Sequence, residues 1–82
     1  MPNLDTCLEI LRRLIAKGDM KEIPFAEKAI NEYWDLTPIG ARKSGLLFLQ
    51  HDVLDLRNAV TGAQHNFADA VNSYIEQKLR EE

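Results

Sequence analysis

Apolar side chains return every three or four residues in four successive blocks of this chain, and glycine or proline stands at the junctions between them. That spacing fits the 3.6-residue turn of an α-helix; a half-buried strand would alternate with a period of two. The first block predicts a helix from about Leu4 to Lys17, with Leu4, Cys7, Leu8, Leu11, Leu14 and Ile15 on one stripe. Asn3 is placed to cap it, Asp5 favours its positive end, Glu9 and Arg13 form an i,i+4 pair on the far face, and Gly18 ends it. The second runs from about Pro24, whose missing N–H costs nothing in a first turn, to Leu36, before the Thr37-Pro38 break. Its buried side is Phe25, Ala26, Ala29, Ile30, Tyr33 and Trp34.

The third helix begins between Pro38 and Gly45 and reaches about Thr61, with Gly62 as its stop. Leu46, Leu49, Val53, Leu56 and Val60 step 3-4-3-4 as its seam. Leu47, Phe48 and Leu54 widen that seam, so this helix is expected to be the most buried. The fourth runs from about Gln64 to Arg80, with Phe67, Val71, Tyr74, Ile75 and Leu79 inward and Asp69, Asn72, Ser73, Glu76 and Arg80 outward. Short connections make successive helices antiparallel neighbours. The expectation is an all-α fold: one domain over residues 1–82, four helices stacked as two antiparallel pairs, either HEAT-like or a small helical bundle.

Length and charge narrow the function classes. Eighty-two residues support one modest core. A net charge of −3 is not the basic balance of a typical nucleic-acid binder, so RNA contact would need a local patch. Cys7 is the only cysteine, so no internal disulfide forms, which fits a reducing compartment. The longest apolar run, GLLFL, falls far short of a membrane span, and MPNLDTCLEI lacks the pattern of a signal peptide. A cytoplasmic chain with no membrane contact is expected.

The segment FLQHDVLDLRNAV gathers His51, Asp52, Asp55 and Arg57 within seven residues. On a helical wheel His51, Asp55 and Asn58 share a strip opposite the seam, while Asp52 sits at the seam's edge. A metal site wants three or four converging ligands, and the two histidines lie fourteen residues apart on different helices. The strip therefore reads as a solvated face, and no metal is expected. Cys7 lies on the buried stripe, so a Cys–His nucleophile is not expected either. No phosphate loop or nucleophile elbow is present. The chain reads as a non-enzyme without a cofactor.

Arg12, Arg13 and Lys17 fall late in the first helix, where cations suit the helix dipole, and Arg42 with Lys43 precede the third. If the fold joins the two groups, they are the candidate phosphate contacts for RNA. Trp34, at the edge of its apolar face, is a core filler with its indole N–H outward, or else a partner contact.

Phe48, Asp52, Val53, Leu54, Asp55, Leu56 and Arg57 resemble the signature of the last repeat of the MIF4G domain, the HEAT-repeat middle domain of a eukaryotic translation-initiation scaffold. Cys7-Leu8 with Leu11, Ile15 and Lys17 is similar to that family's penultimate repeat, and Ala29-Ile30-Asn31-Glu32-Tyr33-Trp34 to the helix after it. The family domain is about three times longer, and where it carries a tryptophan and an arginine-rich stretch this chain has Asn58-Ala59-Val60-Thr61. The resemblance implies a non-catalytic adaptor that binds a DEAD-box RNA helicase, RNA or both, with Asp55 and Arg57 as partner contacts. Such repeats are stabilised by their neighbours, so an isolated pair would cover its apolar end or dimerise. The alternative is a small bacterial or phage regulator, such as an antitoxin, an immunity protein or a defence-system inhibitor, that occludes a protein partner. The Met1 start, compact size and acidic balance favour it by suggesting a complete small protein. A homodimer closing through Tyr33 and Trp34 is a third arrangement.

Overall fold

A computed structural model describes residues 4–81. Asn3, read above as a helix cap, lies outside the described residues. Four helices make up the fold: α1 (Leu4–Lys17), α2 (Ile23–Leu36), α3 (Arg42–Ala59) and α4 (Gly62–Arg80). Single 3₁₀ turns, Met20–Glu22 and Ile39–Ala41, lead into α2 and α3. No strand occurs among the described residues. The molecule measures 36 × 24 × 19 Å.

Local chemistry sets the helix ends. Gly18 closes α1 at φ +66, donating its N–H to the Leu14 carbonyl at 3.0 Å. An added Cβ there would meet the α4 backbone at Gln64 N, 3.0 Å away, so the position needs glycine for both conformation and space. Pro24 occupies the first turn of α2. Thr37 closes that helix through its backbone N–H to the Tyr33 and Trp34 carbonyls, at 3.1 and 3.2 Å. α3 ends at Ala59, and Gly62, expected as its stop, instead opens α4.

The helices pack as α1 on α2 and α3 on α4, and the pairs join through α1 and α4, each of which touches the other three helices. α2 and α3, although successive, meet mainly at one end, where Tyr33 lies over Gly45. The core centres on Leu11, Ile15, Ile30, Leu46, Leu49, Val53, Phe67, Val71 and Ile75, all nearly inaccessible.

Several faces differ from the sequence expectation. Phe25, assigned to the buried side of α2, is exposed. α3 is not the most buried helix: only Leu46, Leu49 and Val53 are fully buried, and Leu47 and Phe48 point to solvent. The reason is coverage: α3 packs mainly on α4 and α1, and Leu47 and Phe48 lie on the side turned away from them. Asn72, assigned outward, is buried between α3 and α4. There its Oδ1 accepts from Gln50 Nε2 at 3.1 Å, and its Nδ2 donates to Glu76 at 3.3 Å, which satisfies the amide.

Candidate functional site

Successive α-helical residues turn by about 100°, so once Leu46, Leu49 and Val53 face the core, Ser44, Leu47, Phe48, His51 and Asp55 fall on the opposite side of α3. Leu47 is 51% exposed and Phe48 67%. With Ser44 and His51 they line an open, almost wholly apolar groove of about 470 Å³. The sequence held a sign of this: residues 46–49 are four consecutive large apolar residues spanning most of a helical turn. A helix covered on one side must turn some of them to water.

One turn further along the same face stand His51, Asp52 and Asp55. His51 Nδ1 lies 3.6 Å from Asp55 Oδ2 and 3.9 Å from Asp52 Oδ1. One ligand atom from each residue falls within 4.8 Å of the others. His51 and Asp55 are exposed as the wheel indicates, and Asp52 is half-buried at the edge.

The DVLDLR stretch divides by face. Val53 is core, Leu54 and Leu56 are half-buried, and Asp55 is exposed. Arg57 is anchored in the α3–α4 seam, where its Nη1 donates to Asp69 Oδ1 at 3.0 Å. Its Nε is buried without a partner among the described residues. His65 Nδ1 sits 3.0 Å from the Arg57 carbonyl.

The basic candidates do not converge through any described contact. Arg12 is exposed on α1, Arg13 pairs with Glu9 at 2.7 Å, and Lys17 is bound to Glu22. That hydrogen bond and the Glu22 charge hold the Lys17 ammonium above its ordinary pKa. Lys43 is exposed on the first turn of α3. Arg42 is committed inward: its Nε donates to the Trp34 carbonyl at 2.9 Å and the Thr37 carbonyl at 3.1 Å, closing the end of α2. The Trp34 ring is buried, with the Arg42 guanidinium 5.4 Å and the Lys78 ammonium 5.3 Å from its centre. Tyr33 is also buried.

Cys7 is buried, its Sγ 3.6 Å from the Ala29 carbonyl. Burial, with a smaller push from the Glu32 charge, raises its thiol pKa to about 12, so it stays protonated near neutrality. No described helix is long and apolar enough to cross a membrane. No family model, curated protein or solved structure matches the chain.

Proposed function

We propose that this chain is a non-catalytic binding module that occludes a protein partner, using the outer face of α3. The observation that carries the reading is the exposure of Leu47 and Phe48, side by side along an apolar groove. Two adjacent large apolar side chains held on a rigid helix can fill a partner's pocket while losing little conformational entropy. Transfer of that surface out of water supplies the driving force. Among the expected partner contacts, Asp55 lies on this face, whereas Trp34 is covered and Arg57 is tied to Asp69.

A partner such as a DEAD-box helicase, which the resemblance implies, is a narrower version of the same reading. RNA binding has less support, because among the expected phosphate contacts Arg13, Lys17 and Arg42 already have partners and only Arg12 and Lys43 are accessible without a described one.

The test is affinity capture from host extract with the wild-type chain, a Leu47→Ser/Phe48→Ser variant and a Phe25→Ser control. A specific partner retained by wild type and control, and lost at least tenfold by the α3 variant, supports the proposal. Equal capture by all three rejects this face. Capture of RNA that weakens steeply with salt and is insensitive to the α3 variant replaces it with the nucleic-acid reading.

A further inference from the structure

The trio on the outer face of α3 has no duty in the fold. Among the described residues, the side chains of His51, Asp52 and Asp55 have no ion pair or hydrogen bond except with one another. Their placement is electrostatically unfavourable as it stands. Asp52 and Asp55 are like charges one turn apart on the same helix. No lysine or arginine compensates either of them among the described residues. One donor atom from each of the three residues lies within 4.8 Å of the others.

We propose that His51, Asp52 and Asp55 form a surface site for a divalent transition-metal ion of the zinc type, bound by one imidazole nitrogen and two carboxylate oxygens. Zinc bonds to such atoms are about 2.0–2.2 Å long, so two tetrahedral ligands sit roughly 3.4 Å apart. His51 Nδ1 stands 3.6 and 3.9 Å from the two carboxylates and all three ligand atoms lie within 4.8 Å of one another, so closing on an ion takes side-chain shifts of up to about an ångström, which rotation of the exposed His51 and Asp55 side chains supplies. The imidazole sets the class of ion: magnesium and calcium prefer all-oxygen shells, whereas zinc, nickel and copper(II) accept mixed nitrogen and oxygen donors. His51 and Asp55, one turn apart on a formed helix, give a chelate that needs no backbone rearrangement. Because all three side chains are accessible, the ion keeps water in its remaining positions and the affinity is modest. The site stands independently of the partner reading and is assayed on the chain alone.

The second histidine supplies an internal control. His65 is half-buried, with its Nδ1 against the Arg57 carbonyl, and Cys7 is held protonated in the core. Zinc chloride is titrated into tag-free protein while the imidazole C–H resonances are followed by NMR. Saturable change at His51 with little at His65 is expected, with an apparent dissociation constant of about 10⁻⁵–10⁻³ M. His51→Ala should abolish it, and Asp52→Asn/Asp55→Asn should weaken it at least tenfold, with helical circular dichroism unchanged in both variants. Magnesium at equal concentration should leave His51 unmoved. Non-saturable change, equal change at both histidines, or an affinity unaltered by the carboxylate substitutions would overturn the site; the last outcome means binding by a lone imidazole.

Discussion

At Gly45 the absence of a side chain is what lets α2 and α3 meet, because an added Cβ would lie 2.2 Å from Tyr33 Oη and 3.1 Å from Tyr33 Cζ. Alanine in a helix interior ordinarily stabilises by about 0.5–1 kcal/mol over glycine. Here the buried Tyr33 ring must shift to admit the methyl group, so Gly45→Ala should destabilise the chain by about 1–3 kcal/mol in urea unfolding. Tyr33→Phe removes the nearest atom and should recover part of that loss; strict additivity of the two substitutions would disprove the contact. Cys7 gives a second test at this scale. Its thiol ionises near 9.0 when unfolded but only near 12 in the fold, so the native state holds the proton more tightly. The stability linked to it is complete below pH 9 and is lost as pH climbs from 9 towards 12, at up to about 1.4 kcal/mol per pH unit. The stability–pH curve of Cys7→Ala should therefore be flatter than wild type above pH 9, and identical slopes would refute the burial argument.

Among the elements, the end of α2 depends on a residue that belongs to α3. Arg42 serves the Trp34 and Thr37 carbonyls and covers the Trp34 ring, so Arg42→Met, which keeps the aliphatic bulk but removes the donors, should cost about 1–3 kcal/mol. Tryptophan fluorescence should respond as Trp34 loses its cationic neighbour, and an unchanged unfolding midpoint would show the cap to be dispensable. This role was not legible in the sequence. The acceptors are backbone carbonyls five and eight residues away across the Thr37-Pro38 break, and carbonyls carry no residue signature. Helix positions were legible because apolar periodicity and the Gly18 and Pro24 signals are local. Which flank of a helix is buried was less so, since Phe25, Leu47 and Phe48 satisfy helical spacing and yet lack a neighbour to cover them. Asn72 failed in the opposite sense: its polarity suggested solvent, but Gln50 and Glu76 supply partners that make its burial tolerable. The candidate site was half legible: the wheel put His51 and Asp55 on one strip, while the approach of Asp52 depends on side-chain rotamers that spacing does not encode.

Over the whole molecule, the three phenylalanines separate core from surface. Phe67 is inaccessible in the centre of the core, whereas Phe25 is 61% and Phe48 67% exposed. A domain this small has a net stability of only about 5 kcal/mol, and truncating a buried phenylalanine costs about 3–5 kcal/mol. Phe67→Ala should therefore leave much of the chain unfolded at 37 °C, with all four helices lost together, because α4 joins the two pairs. Phe25→Ala and Phe48→Ala should each shift stability by less than about 0.5–1 kcal/mol, as befits surface positions. Thermal melts followed by circular dichroism would distinguish the three. A Phe48 variant that unfolds like the Phe67 variant would mean that the outer face of α3 is packed within the fold. The same melts in which Phe48→Ala matches wild type would leave that side chain no structural role, as the proposed partner face on α3 requires.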